Sequence, residues 1–535
     1  MAKHSIKYTP LFTAFAVLFL LSFSSLYAQV KKYPGNPRKG FEPEDAEEHF
    51  KHTNYLMALP IYKELIKRDP RNIDFNYNAG MCYLNTNINK SLAIPYLELI
   101  TNMAGAKFDN EVWFDLGKAY QYSLRFDDAI KAYGRYKEGA KNKDVTKAER
   151  QIEMCSNGKE LVKYPVNVTF ENMGKEVNSE FPDYYPLVTK DESFIVYTSR
   201  RKENIGARLE FDGYYPSDIY SSTVKDGKWA KAVNIGRPVN TLYDEQAVGM
   251  SSDGTKIIVY IDHIDSLGNL YMSELRKDKG AFQKIKRLNE NVNSGLERTG
   301  SLSPDGEIIF FASDRKEGYG ETDLYMCRKL PNGQWAKVQS LGPNVNTQYR
   351  EDFPFLAEDG KTLYFSSEGH SSMGDYDLFK TIWNEEDNTW SKPVNLGYPV
   401  NTPDEDRCIS FTANNRIGYV SASRSGGYGD LDIYRILFNE SDQRYAIVSG
   451  YVLTGDSIHK EVTAVITATD IQTKQEQTFI PVKHSGKYVM ALTPGKYAIN
   501  IEAAGYKQFI DAIVIYDMGS FQPETDKNFK LEKEP

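Results

Sequence analysis

The sequence predicts a multidomain chain in which an α-solenoid of helical repeats precedes a five-bladed β-propeller and a small β-sandwich. Three observations predict this fold class. Helical segments recur at intervals of 35 and 36 residues within positions 44–162, a strand-rich unit recurs five times within 163–440, and alternating apolar residues mark short strands within 445–532. A length of 535 residues leaves room for three or four domains of ordinary size.

The charge balance disfavours nucleic acid as a partner. Lys and Arg total 65 against 73 Asp and Glu, which gives a formal net charge of −8, and the basic residues form no cluster. We therefore expect the partner to be a protein or a glycan.

The first 28 residues have the pattern of a signal peptide. Lys3 and Lys7 form a charged start, the apolar run 11–21 is too short to span a bilayer comfortably, and a cleavage position follows Ala28. Residues 29–43 are predicted to form a linker. No later stretch approaches the roughly 20 apolar residues of a transmembrane helix. The mature chain is expected to be soluble and exported.

Four cysteines lie far apart in the sequence and form no C-x-x-C pair: Cys82, Cys155, Cys327 and Cys408. Single cysteines within apolar stretches are expected to be buried as small hydrophobic side chains. In an exported protein a disulfide is the alternative, and Cys82 with Cys155 is the favoured pair because both fall in the helical region.

Three segments of the helical region align with one another. The third, "EVWFDLGKAYQYSLRFDDAIKAYGRY", places Gly and Ala where paired helices approach closely and aromatic residues where they fill the space between repeats. The spacing of these residues resembles the tetratricopeptide repeat, and Ala58, Ala93 and Ala129 repeat near its period of about 34 residues.

Such stacks have a concave groove. By the repeat register, five side chains should line it: Tyr77, Met81, Phe114, Lys118 and Gln121. The groove would bind a peptide of a partner protein; the alternative is that Met81 and Phe114 simply pack between helices.

The central region repeats a turn, an apolar strand, a Gly-rich loop and a second strand, as in "SLSPDGEIIFFASDRKEGYGETDLYMCR". Aligned positions in the five units are 51, 54, 54 and 55 residues apart, a period typical of propeller blades: Asp218, Asn269, Asp323, Asp377 and Asp432. A connector such as "LGPNVNT" joins the units. The fifth unit lacks a fourth strand, and segment 163–171 is predicted to complete it and to close the ring.

The repeated polar residues have two interpretations. The aspartates that precede Ile/Leu-Tyr can cap loop amides while the aromatic residues pack blade on blade. Alternatively, one mouth of the propeller binds a ligand or calcium through these side chains: Arg315, Asp323, Asp377, Arg424 and Asp432.

Residues 445–532 are predicted to form a β-sandwich. Tyr488, Met490 and Leu492 alternate with polar or small residues, and a similar run follows a predicted Thr-Pro-Gly-Lys hairpin turn. The run "SGKYVMALTPGKYAINIEAAGY" resembles the transthyretin-like regulatory module of carboxypeptidases. That resemblance implies a docking or spacer role without catalytic residues.

Catalytic motifs are scarce. The sequence has no G-x-S-x-G elbow, Walker loop, H-E-x-x-H or dinucleotide fingerprint. "GHSSMG" at 369–374 has the wrong spacing for an elbow, so Ser371 is expected to be a loop hydroxyl. His49 and His52 lie one helical turn apart but lack an evident third metal ligand. We therefore predict no cofactor, no metal and no enzymatic activity.

The order of the three modules resembles a multidomain cell-envelope family of Bacteroidetes-type bacteria that includes a type IX secretion component. The resemblance implies a periplasmic scaffold that contacts outer-membrane or secretion-machine proteins. The chain ends at "NFKLEKEP", where the family continues into an OmpA-like domain, and it has no lipid-accepting cysteine, which leaves peptidoglycan binding and self-anchoring in doubt. A glycan- or peptide-processing enzyme and a glycan-binding sensor are the alternatives.

Overall fold

The computed structural model describes residues 42–534 except positions 207, 263–267, 277, 279, 440–444, 455–462 and 516–523. The predicted signal peptide and nearly all of the predicted linker lie outside the described residues.

Within the described residues, seven α-helices form the N-terminal region: α1 (Pro43–Lys51), α2 (Tyr55–Arg68), α3 (Ile73–Leu84), α4 (Ile94–Thr101), α5 (Glu111–Tyr122), α6 (Phe126–Gly139) and α7 (Asn142–Leu161). Asn54 and Asn72 cap α2 and α3 by accepting hydrogen bonds from the N–H groups of Met57 and Phe75. Consecutive helices pack against each other from α2 to α7.

Glycine permits the close approach of these helices. A Cβ atom at Gly117 on α5 would lie 2.6 Å from the ring of Tyr133 on α6, and one at Gly80 would lie 2.9 Å from Leu97. These contacts explain why small residues recur at fixed spacing in the helical repeat.

Five antiparallel sheets follow in the described part of the chain. The first sheet contains β2 (Asp183–Val188), β3 (Phe194–Ser199), β4 (Asp218–Lys225), β5 (Lys228–Trp229) and β6 (Val233–Asn234). The second sheet contains β7 (Asp244–Met250), β8 (Lys256–Asp262), β9 (Asn269–Arg276), β10 (Ala281–Phe282) and β11 (Lys286–Arg287), and the third contains β12 (Glu297–Leu302), β13 (Ile308–Ser313), β14 (Asp323–Arg328) and β15 (Gln339–Ser340). The fourth sheet contains β16 (Glu351–Leu356), β17 (Thr362–Ser367), β18 (Asp377–Asn384), β19 (Thr389–Trp390) and β20 (Val394–Asn395), and the fifth contains β21 (Ile409–Phe411), β22 (Ile417–Ala422), β23 (Asp432–Phe438) and β1 (Val168–Asn172).

The sheets are arranged as in a propeller. The first strand of each sheet contacts the first strand of the next, from β2 through β7, β12 and β16 to β21, and β21 contacts β2. β1, which precedes the first sheet, pairs antiparallel with β23 of the fifth, with Val168 opposite Phe438 and Asn172 opposite Tyr434. β1 overlaps the segment 163–171 that was predicted to complete the last blade.

One asparagine in each connector forms the same pair of hydrogen bonds. Its amide donates to the carbonyl of a third-strand residue, and its oxygen accepts from the N–H of that residue, with N···O distances of 2.7–3.0 Å. The pairs are Asn178–Ile433, Asn240–Ile219, Asn293–Leu270, Asn346–Leu324 and Asn401–Leu378. The amide thus supplies the partners that a neighbouring strand would otherwise provide.

The Gly-rich loops lie directly beneath these connectors. A Cβ atom at Gly320 would lie 2.3 Å from the carbonyl oxygen of Tyr349, and one at Gly429 would lie 2.4 Å from that of Ser179. Only glycine leaves room for the connector backbone at this position. The loop glycines and the connectors therefore recur together because they contact each other.

The C-terminal region is a pair of packed sheets. One contains β24 (Ala446–Thr454), β27 (Lys487–Leu492), β30 (Glu524–Asp526) and β31 (Phe529–Leu531); the other contains β25 (Ala464–Asp470), β26 (Glu476–Phe479), β28 (Gly495–Ala503) and β29 (Phe509–Ile515). Their facing side chains form one buried core.

The predicted Thr-Pro-Gly-Lys hairpin is wrong. β27 pairs with β24, whereas β28 pairs with β25 and β29, so the chain crosses from one sheet to the other at 493–494. Both strands send alternate apolar side chains into the shared core. The alternation was thus predicted correctly, but it cannot distinguish two paired strands from two strands that face each other.

The outer face of β27 is also buried. Val489 and Ala491 pack into a cluster with Tyr133 of α6 and Cys155 of α7. Lys487 forms an ion pair with Glu153 of α7. The sandwich therefore contacts the helical region directly.

Among the helices of the described residues, none combines the length and the hydropathy that a membrane span requires.

Asn178→Ala is expected to lower the free energy of unfolding by about 1–3 kcal/mol, because the N–H and C=O of Ile433 lose their buried partner. Asn240→Ala removes the equivalent pair with Ile219 and is the matched variant. Urea denaturation measures both. A loss of stability in Asn240→Ala alone would show that the connector before the first sheet does not hold the fifth.

Candidate functional site: the helical groove and the propeller face

A loop of the fourth sheet occupies the surface of the helical region. This loop, residues 368–376 between β17 and β18 and hereafter the interlock loop, places Met373 in a fully buried position. Met373 belongs to the same apolar cluster as Phe114 of α5, Tyr133 of α6 and Val489 of the sandwich. All three regions of the chain therefore meet around one side chain.

Buried polar groups fix the backbone of the interlock loop. The Gln121 amide donates to the carbonyl of Met373 at 3.1 Å, and the Asn157 amide donates to that of Ser372 at 2.9 Å. The Arg150 guanidinium donates to the hydroxyl of Ser372 at 2.7 Å. A buried polar group that loses its hydrogen-bond partner destabilises the fold. Any other position of the loop would leave these groups unpaired, so the contacts specify one docked position.

A second contact lies in the segment between α3 and α4. Lys90 forms an ion pair with Asp404 at 2.5 Å, and the hydroxyl of Ser423 donates to the carbonyl of Asn87 at 2.8 Å. Asp404 and Ser423 belong to the fifth sheet's loops. The helical region thus contacts two neighbouring sheets on the face where their first strands begin.

Two of the five predicted groove residues contact the interlock loop. Gln121 holds the carbonyl of Met373, and Lys118 lies 3.8 Å from the carboxylate of Asp375. Asp375 also accepts a hydrogen bond from the hydroxyl of Tyr122 at 2.8 Å. This part of the predicted peptide-binding groove is therefore filled by the chain itself.

The other three predicted groove residues serve the helical core. Phe114 is buried, with its ring 5.2 Å from those of Tyr133 and Tyr136. Tyr77 donates from its hydroxyl to Asp115 at 2.7 Å, and Met81 is half-buried against the neighbouring helices. For Phe114 and Met81 this is the packing role given above as the alternative.

The aspartates predicted at the propeller mouth are buried at the start of third strands. One oxygen of Asp323 accepts from the N–H groups of Tyr319 and Gly320 at 2.9 and 3.1 Å. Asp432 accepts from the N–H of Tyr428 at 2.6 Å, and Asp377 from that of Met373 at 3.0 Å. These carboxylates hold the Gly-rich loops, as in the capping interpretation.

The two predicted arginines also make internal contacts. The Arg315 guanidinium lies 4.7 Å from the ring of Tyr325 and 3.2 Å from the carboxylate of Glu297. That of Arg424 lies 3.5 Å from the ring of Phe170 and donates to the carbonyl of Pro399. Arg424 thus links β1 to the connector before the fifth sheet.

Burial changes the acidity of these carboxyl groups. Desolvation raises the pKa of Asp377 to about 7, against hydrogen bonds from Asn395 and the loop N–H groups that lower it. Its second oxygen is buried without a partner among the described residues. Burial likewise raises the pKa of Asp323. A group of this kind carries a proton at mildly acidic pH.

The opposite end of the propeller axis is filled by side chains. Leu187, Met250, Leu302, Phe355 and Phe411 leave a cavity of about 20 Å³ between them. That volume is about one water molecule, so this end offers no room for an organic ligand.

The residues that join the modules have no signature in the sequence. Arg150 and Asn157 lie on the helix that was predicted only as a cap, and nothing in their local pattern marks them as contacts to residues more than 200 positions away. The connector asparagines were visible as a repeat, but their hydrogen bonds were not predicted.

The cysteines and histidines have structural surroundings. All four cysteines are free and buried, which confirms the predicted burial and rules against the Cys82–Cys155 alternative. His52 stacks on Phe211 with ring centroids 4.9 Å apart. The described residues contain no group of three or more His, Cys, Asp or Glu side chains placed to hold a metal ion.

No protein-family model and no curated protein sequence match this chain. Several solved structures are similar to it. TolB from Acinetobacter baumannii is 19% identical over 50% of this chain and 56% of its own, with a TM-score of 0.33. The WD40 repeats of RRP9 are 10% identical over 50% and 97%, with a TM-score of 0.28. An endo-arabinase from Bacteroides thetaiotaomicron is 13% identical over 51% and 99%, with a TM-score of 0.33. This chain therefore spans only about half the length of the TolB structure.

Met373→Ala is expected to lower the free energy of unfolding by about 2–5 kcal/mol, because it leaves a cavity where three regions meet. Hydrogen exchange should accelerate in α5, α7 and β27. Met57→Ala, at a methionine that is 53% exposed, is the control. Unchanged protection in all three elements would contradict the role given to Met373.

Asp377→Asn is expected to flatten the pH dependence of stability. The folded state keeps a proton on Asp377 up to about pH 7, whereas the unfolded chain releases it near the ordinary value of 3.8. Stability attributable to this group therefore falls as pH rises through that window, by at most about 1.4 kcal/mol per pH unit. Urea denaturation at pH 4.5, 6 and 7.5 measures the slope. Asp387→Asn, on an exposed turn, is the control; equal slopes in all three proteins would refute the prediction.

Proposed function

We propose that this chain is a non-enzymatic scaffold of the bacterial periplasm, exported by its N-terminal signal and held at the outer membrane through protein partners. In this proposal a tetratricopeptide-type solenoid, a five-bladed propeller and a carboxypeptidase regulatory-like sandwich form one assembly platform. The platform acts within or beside an envelope complex of the type IX secretion kind.

An exposed apolar patch carries the proposal. Leu209 and Phe211 in the loop between β3 and β4 are 55% and 54% exposed, and Leu242 in the following connector is 65% exposed. Leu242 lies beside Gly206, which belongs to the loop between β3 and β4. Phe211 stacks on His52 of the helical region. Clustered exposed apolar side chains are typical of protein interaction sites.

The joined modules support a scaffold rather than a set of independent domains. The interlock loop fixes the propeller to the helices, and Lys487 and Val489 fix the sandwich to α6 and α7. Fixed geometry presents several partner surfaces at constant distances, and it spares the entropy of ordering mobile domains when a partner binds.

The carboxylates at the propeller face favour a non-enzymatic role. Asp323, Asp377 and Asp432 hold loop N–H groups at 2.6–3.1 Å. A catalytic acid or base must reach a substrate atom. Substitution of these residues should therefore affect stability rather than turnover.

The ring of sheet contacts and the Asn178–Ile433 pair support the five-bladed closure. The signal-like start of the sequence supports export to the periplasm, and the order of the modules supports the envelope assignment.

Site-specific photocrosslinking in cells tests the proposal. A photoreactive residue at Leu242 or Phe211 is expected to give a reproducible adduct with an envelope protein. The same residue at Ile382, which is 51% exposed on the outer part of the fourth sheet, is the matched control. The adducts are identified by mass spectrometry.

Two results would overturn the scaffold proposal. The first is the absence of any protein adduct from the apolar patch. The second is hydrolysis of an envelope glycan or peptide by the purified chain that Asp323→Asn abolishes without unfolding it.

A further inference from the structure

One lysine recurs at the outer end of four sheets. Backbone pairing places β6, β11, β15 and β20 in the same register beside their third strands, since Asn234, Arg287, Ser340 and Asn395 lie opposite Tyr220, Tyr271, Tyr325 and Phe379. Three residues before each of these positions the sequence has a lysine: Lys231, Lys284, Lys337 and Lys392.

In the fourth sheet this lysine binds the sandwich. Lys392 lies 2.5 Å from the carboxylate of Asp526 and 3.9 Å from that of Glu524. The N–H of Asn395 also donates to Glu524 at 3.3 Å. Both acidic residues lie on β30, two positions apart and so on one face of an extended strand. The repeated position thus has a known occupant in this molecule, an acidic strand.

The second sheet has more positively charged residues at the equivalent positions. Arg287 stands where the fourth sheet has Asn395, and Lys286 stands where it has Val394. The first sheet has Val233 and Asn234 at these positions, and the third has Gln339 and Ser340. Only the second sheet among these four adds two cations to the shared lysine.

This surface forms a cleft between the second and third sheets. Its volume is about 280 Å³, and its lining includes Lys284, Lys286, Arg287, Glu274 and Trp335. Arg287 pairs with Glu290 at 2.6 Å and also donates to the side-chain oxygen of Asn269 at 2.9 Å, so its guanidinium is already bound within the chain. Lys284 and Lys286 are exposed, and neither forms an ion pair within the described parts of the chain.

We infer that the cleft at Lys284 and Lys286 binds an acidic segment of a partner polypeptide, in an extended conformation with two carboxylates two residues apart. The inference rests on the proposed scaffold function and names the chemistry of one partner. Lys284 takes the place of Lys392, and Lys286, at the position of Val394, supplies the second cation. The sandwich cannot supply this segment, because β30 already occupies the fourth sheet.

Charge and shape favour a polypeptide strand over a small anion. At the fourth sheet the two carboxylates of β30 are separated along one strand, and pairing of β30 with β24 keeps them apart. In the second sheet the two unpaired lysines are likewise separated along the chain, at positions 284 and 286. A single anion could contact only part of this set.

Fluorescence polarisation tests the inference with the full chain and a labelled peptide, Ser-Thr-Glu-Thr-Asp-Thr-Ser. The Lys284→Gln/Lys286→Gln double variant is expected to bind it about tenfold more weakly, since each exposed ion pair contributes a few-fold. The matched control is Lys231→Gln/Lys337→Gln, which removes the same charge at the equivalent positions of the first and third sheets. Its affinity should equal that of the parent. A Gln-Thr-Asn version of the peptide should not bind.

The remaining outcomes overturn the inference. Equal loss in both double variants would show non-specific attraction to positive charge. Displacement of the peptide by an equal concentration of inorganic phosphate would show a small-anion site. Absence of peptide binding while Leu242 still gives a protein adduct would refute the acidic segment alone, whereas loss of that adduct would refute the scaffold itself.

Discussion

Burial of the interlock loop in the helical region is the contact on which the arrangement of the molecule depends. Met373 is fully buried in a cluster that contains side chains of α5, α6, α7 and β27. The surrounding carbonyls are held by Gln121, Arg150 and Asn157. Apolar burial gives this junction its stability, and the hydrogen bonds give it one register, because a shifted loop would leave buried polar groups unpaired.

The same contact determines which surfaces remain for partners. A helical repeat groove commonly receives an extended peptide, and here residues of the propeller take up that position beside Lys118 and Gln121. Met373 cannot leave without exposing the cluster. The groove next to the interlock loop is therefore an internal joint, and external contacts must use surfaces such as the patch at Leu242 or the cleft at Lys284.

Much of the fold could be predicted from the sequence because each module repeats a local rule. Glycines such as Gly80 and Gly117 recur where consecutive helices pack, and the connector asparagines recur with the sheets, so their spacing carries structural information. The contacts between modules have no such period. Arg150 meets Ser372 across 222 positions, and a single instance leaves no pattern to find. The candidate site was predicted least well for the same reason: Asp323, Asp377 and Asp432 were found as a repeat, but the repeat reflects loop capping.

Repetition also shows how one blade position acquires different roles. The lysine shared by four sheets lies at an exposed outer end, where a substitution changes the stability of the sheet little. The neighbouring residues can therefore differ from sheet to sheet without loss of the fold. In the fourth sheet the neighbours are Val394 and Asn395, and the surface is covered by β30. In the second sheet they are Lys286 and Arg287, and two lysines remain exposed. Arg287 is already paired with Glu290, whereas Lys284 and Lys286 have no ion pair among the described residues. These two lysine charges lie two residues apart, and their repulsion falls when an acidic group binds or salt screens them. The second sheet therefore has two unpaired lysines at positions where the first and third sheets each have one, which is the physical reason to expect an acidic occupant at this sheet.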